Sequence, residues 1–174
     1  MRMLYPVLTL VAILAGDGPR RGGDKPEIDS HLAVLDRFVG EWTVDGKWSN
    51  GESLHARGVY EWGLGKKILK AKTFVMDGAN EYQRYESILA WHPEKKSLFE
   101  ISFAFDGGLT EVLIETKDKD TLQIGWTPYT EGKPSKVRQT IRFLDNDRFQ
   151  WIVLLKDGEE WKQIMDATWK RKQE

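Results

Sequence analysis

After Gly40 the chain breaks into short segments of alternating apolar and polar residues, separated by turn residues roughly every 8–14 positions, and this rhythm constrains its fold more than any other feature. The separators are Asn50-Gly51, Gly63 with Gly65, Asp77-Gly78, "HPEKK", Asp106-Gly107-Gly108, "KDKD", "DND" and Asp157-Gly158. Each supplies left-handed backbone or local side-chain bonding of the kind a tight turn needs. Ten strands are predicted between them: Glu41–Ser49, Ser53–Trp62, Lys67–Met76, Tyr82–His92, Leu98–Phe105, Leu109–Thr116, Thr121–Thr127, Lys136–Leu144, Phe149–Lys156 and Glu160–Arg171. The expected fold class is therefore mainly β, an antiparallel up-and-down meander.

Turn length decides which residues share a face, because a one-residue slip inverts every side chain. A two-residue Asp106-Gly107 turn pairs Phe103 with Thr110, Ile101 with Val112 and Phe99 with Ile114, and sends Glu100, Glu111 and Glu115 to water. A three-residue "DND" loop pairs Phe143 with Phe149 and Ile141 with Trp151. A three-residue "DGE" loop pairs Val153 with Gln163 and Trp151 with Met165. The "HPEKK" hairpin is open at this level: an even loop turns Arg84 and Glu86 inward with Phe103, an odd one Tyr85, Ser87, Leu89 and Trp91. The second is favoured, because a buried Arg–Glu pair costs several kcal/mol in desolvation.

A twisted meander of this length can remove its edges by closing into a barrel, and a half-barrel sealed by the helix or by a second copy of the chain would give the same pattern. About ten strands enclose more space than their own side chains need, and eight Trp, five Tyr and seven Phe suit either a cavity wall or a solid core. Ile152 and Leu154, on the face opposite Trp151 and Val153, suggest an outer cover such as a second copy of the chain.

Upstream, "MRMLYPVLTLVAILAGDG" has a basic residue, an apolar run from Leu4 to Leu14 and small residues after it. This is the pattern of an export signal (residues 1–18), and the run is too short to span a membrane comfortably. A Gly-, Pro- and charge-rich tether, 19–29, follows, and the barrel domain occupies 30–174. Periplasmic or secreted localisation is implied, with no membrane span after cleavage. A helix over "SHLAVLDRFVG", capped by Ser30 and ended by Gly40, places Leu32, Leu35, Phe38 and Val39 on one side.

The helix runs into Gly40-Glu41-Trp42, and the last strand ends in "ATWKRK". A short helix entering Gly-x-Trp at the head of an antiparallel barrel resembles the lipocalin-like (calycin) superfamily of lipocalins, fatty-acid-binding proteins and nitrobindin-like barrels. The resemblance implies that Trp42 closes one barrel end beneath a basic residue, here Arg171, which shares parity with Trp169 and Ala167. Through "LDRFVGEW", "GLGKKIL", "ILAWHPEKKSLF" and "MDATWKR", Leu32 to Arg171 looks like a bacterial exported family of unknown function with that fold, departing from it in the lysines of "GLGKK". Nitrobindin-like relatives bind haem through a histidine near the last strand. No histidine follows His92, so that ligation does not carry over and no cofactor is expected.

Catalytic groups are sparse. His31, His55 and His92 are scattered and lack metal-ligand spacing, there is no cysteine, and neither a Gly-x-Ser-x-Gly elbow nor a phosphate-binding loop occurs. Formal charge is −1, and near −2 once Arg2 is cleaved off, which gives no bulk attraction for nucleic acid. No catalytic or metal-binding residue is assigned, and the reading leans away from an enzyme. The candidate ligand-binding residues are Tyr60, Thr73, Tyr85, Ser87, Phe103, Trp126, Gln139, Trp151 and Gln163, a few polar groups among aromatics. The expectation is a barrel holding a small apolar or amphipathic molecule. Its alternative is a solid-cored interaction module with an outer-face partner or a homodimer interface.

Overall fold

The computed structural model describes residues 27–130 and 133–173. The expected signal segment and most of the tether fall outside the described residues. Twelve strands follow a short helix: β1 Gly40–Lys47, β2 Ser53–Gly63, β3 Ile68–Asp77, β4 Asn80–His92, β5 Ser97–Ala104, β6 Leu109–Thr116, β7 Thr121–Trp126, β8 Tyr129–Thr130, β9 Lys133–Pro134, β10 Val137–Phe143, β11 Arg148–Asp157 and β12 Glu160–Arg171. Ten of them close into one antiparallel barrel in the order β1-β12-β11-β10-β7-β6-β5-β4-β3-β2, while β8 and β9 form a separate two-stranded ribbon in the β7–β10 connection. The predicted meander and its ten strands are thus observed. Among the described residues no helix is long and apolar enough to cross a membrane.

Ser30–Phe38 winds as a 3-10 helix. Its apolar residues Leu32, Leu35 and Phe38 recur every third position, the period at which 3-10 side chains eclipse, and all three are buried. The cap is Asp29 rather than Ser30: its Oδ1 accepts from the His31 N–H at 3.0 Å. Trp62 Nε1 donates to Asp36 at 2.8 Å, and Arg37 reaches Asp120 at 2.6 Å while lying 4.0 Å over the Phe143 ring. The helix is thereby fixed as a plug across one end.

At the plugged end Trp42 is fully buried and its indole N–H donates to Phe38 O at 2.6 Å. The guanidinium of Arg171, its cross-strand partner, lies 4.3 Å over the ring. It also donates to Val39 O, to Arg37 O and Asn146 O at 2.9 Å each, and through Nε to the Asp147 carboxylate at 3.1 Å. Gly40 makes this approach possible, since a Cβ there would stand 2.8 Å from Arg171 Nη1 and its φ of +120° disfavours any other residue. Beneath Trp42, Phe149 packs at 4.8 Å and Phe38 at 5.5 Å from Phe149.

Two hairpins differ from the expected registers. Between β5 and β6, Ala104 faces Gly108 across a three-residue loop whose Gly107 sits at φ +84°, so Phe103 pairs with Leu109 and Ser102 with Thr110. The extra residue inverts β5: Phe99, Ile101 and Phe103 face outward, and Leu98, Glu100 and Ser102 inward. Between β11 and β12 the turn is two residues long and a bulge at Ile164 shifts the register, so Val153 faces Met165, Trp151 faces Ala167 and Gln163 falls opposite Leu154 on the outer surface. The "DND" pairs are as expected. The "HPEKK" loop spans four residues between His92 and Ser97, an even number. Because β5 is itself inverted, the even loop still turns Ser87 and Leu89 inward; two opposite misreadings cancel.

Arg171 and Trp42 close the barrel from opposite sides of the chain. Replacing Arg171 with Met is expected to lower unfolding free energy by about 2–3 kcal/mol, through lost cation–π contact and unpaired carbonyls. Arg171→Lys should recover less than half of that, because an ammonium cannot fork between carbonyls. Equal recovery by Lys in urea titrations would show that charge alone matters.

Candidate functional site

Inward residues leave a lumen of about 650 Å³ along the barrel axis. Its floor is the plugged end, where Phe38, Phe149 and Trp169 close it, with Phe149 and Trp169 stacked at 5.8 Å. Its other end is framed by residues at the opposite strand termini: Trp48 after β1, Met76 on β3, Tyr82 and Arg84 on β4, Thr110 on β6 and Trp126 on β7. Val112, Ile114, Leu122, Ile124 and Val137 supply an aliphatic wall. The inward side chains thus leave open space rather than filling the barrel at this level.

Seven of the residues singled out from sequence line this space: Tyr60, Thr73, Tyr85, Ser87, Trp126, Gln139 and Trp151. Trp151 Nε1 donates to Gln139 Oε1 at 3.0 Å, so that pair is internally satisfied. Phe103 and Gln163 do not belong to it. Phe103 is 51% exposed on the outer wall because the Gly107 loop inverts β5, and Gln163 is exposed because the Ile164 bulge turns it out. Phe99, expected inside through its pairing with Ile114, faces outward, and Trp62 at the end of β2 serves the helix plug. A second bulge, between Thr73 and Phe74 on β3, leaves Arg84 unpaired in register, so Arg84 and Tyr85 both reach the lumen.

The histidines stand apart from the lumen. His31 stacks on Trp91 at 4.1 Å, His55 Nδ1 meets Asp45 at 2.6 Å on the exterior, and His92 lies edge-on to Phe99 at 5.7 Å.

Two charged residues line the cavity among the described residues, Arg84 and Glu100. Arg84 is answered at the rim by Asp106 at 3.6 Å and lies 5.4 Å from the centre of the Tyr85 ring. Glu100 sits midway along β5, opposite Leu89 on one side and Val112 on the other. The surface it exposes faces the lumen, a barrel wall away from bulk water, and this burial pushes its carboxyl above the ordinary value of 4.5. The Ser87 hydroxyl, which donates to Ser102 Oγ at 2.8 Å, lies close enough to offset that in part by turning its single proton. Burial, and then the charge of Glu100, also push the Tyr60 phenol up, so Tyr60 keeps its proton as a donor. Sequence parity sent Glu100 to water; the G1-type position of Gly107 was the signal that could have brought it in.

No protein-family model matches the chain, and no curated protein matches it by sequence. Solved structures do. Rv2717c from M. tuberculosis aligns with 84% of this chain and 100% of its own at 12% identity and a TM-score of 0.57. The S-type phycobiliprotein lyase CPES from Guillardia theta aligns with 82% of this chain and 92% of its own, at 11% identity and a TM-score of 0.51. A redesigned β-barrel, mFAP1, bound to DFHBI, aligns more loosely, with 79% of this chain and 98% of its own at 14% identity and a TM-score of 0.42. Identities this low carry the barrel fold and nothing narrower.

A carboxyl held above its unfolded value takes up a proton in the native state first, so its contribution to stability falls as pH rises from the ordinary Glu value through the folded one, then levels off. Glu100→Gln lacks this slope. Its melting temperature relative to wild type is expected to climb as pH rises above the ordinary Glu value and then level off, on top of any constant offset from the amide. A difference that stays flat with pH would show that Glu100 is not desolvated.

Proposed function

We propose that the protein is an exported barrel that holds one small apolar or amphipathic molecule in its lumen and performs no chemistry on it. The observation that carries this reading is the lumen itself: about 650 Å³, walled by aliphatic and aromatic side chains with a few inward polar groups. That volume and lining match those of small-molecule pockets in general. Tyr60, Thr73, Tyr85, Ser87, Trp126, Gln139 and Trp151 are the sequence-derived contacts, joined by Ser102, Glu100 and Arg84 from the structure. No histidine lines the space among the described residues, so the imidazole that most often serves as general base is not available there.

Trp48, Trp126, Trp151 and Trp169 all border the lumen, so intrinsic fluorescence reports its occupancy. Thr73→Trp places an indole in mid-cavity. We expect it to weaken binding of an apolar fluorescent probe by at least about tenfold, roughly 1.4 kcal/mol, while the circular dichroism stays that of the barrel. Unchanged probe affinity in the folded variant would place binding elsewhere.

A second reading follows from the inversion of β5, which brings Phe103 out on the face where Ile88 of β4 and Leu109 and Leu113 of β6 are exposed. An outer apolar face of this kind suits a second copy of the chain. Ile152 and Leu154, the positions first suggested for such contact, are half-buried, which makes them weaker candidates. Light scattering is expected to show a dimer that Phe103→Glu dissociates; a monomeric wild type at high concentration dismisses it.

A further inference from the structure

The lumen holds one carboxyl, Glu100, that no cation answers among the described residues. Arg84, the other charged lining residue, is engaged at the rim by Asp106 and Tyr85. Glu100 lies deeper, between Leu98 and Ser102 on the inner face of β5, with Leu89 and Val112 as its cross-strand neighbours. Among the described residues no Lys, Arg or His bears on it, and its neighbours in charge and hydrogen bonding are Ser87 and Tyr60. No fully enclosed side-chain oxygen lacks a partner among the described residues, so the carboxyl is presented to the open lumen rather than sealed in the wall.

Placing a carboxyl in such a setting costs stability unless something there uses it. An aliphatic wall with only hydroxyl partners is poor compensation. We propose that Glu100 is the anchor for a ligand with a basic nitrogen: an amphipathic organic amine whose apolar body lies along Val112, Leu122 and Ile124 and whose ammonium group meets the carboxylate. This rests on the lumen-binding reading and names its ligand class.

Three heads on one alkyl body separate the possibilities. An ammonium gains a charge-assisted hydrogen bond from Glu100, strengthened by the lumen's low dielectric, and the electron-rich faces of Tyr60 and the lining tryptophans favour it further. A hydroxyl gains only a neutral hydrogen bond. A carboxylate brings a like charge to Glu100, so one of the two must take up a proton before both fit. The amine is thus selected both by attraction and by the exclusion of its acidic counterpart.

The titratable groups facing the lumen are Tyr60 from β2, Tyr82, Arg84 and Tyr85 from β4, and Glu100 from β5; the lining residues of β6, β7, β10 and β11 carry none. Glu100 is the one carboxyl among these. Amine affinity therefore falls on acidification as Glu100 takes up its proton, while alcohol affinity stays level.

Calorimetric titration of decylamine, decanol and decanoate into wild type and Glu100→Gln, at pH 7.5 and pH 5, tests this. The expected result is decylamine tightest by about tenfold over decanol in wild type, roughly the worth of a buried charge-assisted bond, with that preference lost in Glu100→Gln while decanol changes less than about threefold. If decanol or decanoate binds and decylamine shows no preference, or if the preference survives in Glu100→Gln, the amine assignment is wrong and lumen binding stands. If none of the three binds wild type, both readings fall. The wild-type pH profile repeats the test without a variant: amine affinity equal at both pH values contradicts the assignment.

Discussion

The position of Arg171 organises the molecule. One guanidinium closes the seam between first and last strands, covers the Trp42 ring and takes up carbonyls at the end of the 3-10 helix and in the β10–β11 loop. The β1–β12 seam has two residue pairs in register, flanked by backbone bonds from Lys172 to Glu41 and from Ser49 to Ile164, and the cap reinforces it at the plugged end. A helix of only nine residues in 3-10 geometry has little stability of its own. It holds because Leu32, Leu35 and Phe38 are buried and its ends are tied by Asp29, Asp36, Arg37 and Arg171.

Closing one end so firmly decides what the remainder can do. The aromatic residues nearest the plug, Phe38, Phe143, Phe149 and Trp169, are consumed by mutual packing. Those farther along the strands, Trp48, Trp126 and Trp151, have space beside them. A ten-stranded barrel leaves that space by geometry, since its circumference outgrows the side chains that point inward.

The fold was legible because turn residues and alternation are local signals, and ten strands with their order follow from them. Faces were legible only where loop length was unambiguous. "DND" was, and β10 with β11 came out as read. Asp106-Gly107-Gly108 was not: two glycines permit a two- or a three-residue loop, and the choice moves Glu100 and Phe103 to opposite sides of the wall. Tyr60, Trp126, Gln139 and Trp151 hold their place on strands whose inner-face alternation is unbroken, while Thr73, Tyr85 and Ser87 keep theirs beside the Arg84 bulge. Gln163 lies just beyond the Ile164 bulge, and neither that bulge nor the one that brings Arg84 inward is marked by glycine or proline. Bulges of this kind arise from the twist of the closed barrel, which is a tertiary effect.

Whether the lumen is occupied is the central claim, and native mass spectrometry of the purified protein after exposure to a mixed lipid extract reads it directly. The account predicts one added molecule per barrel, retained through gentle desolvation and lost on unfolding. A spectrum showing only the mass of the polypeptide, across extracts of differing polarity, would contradict it.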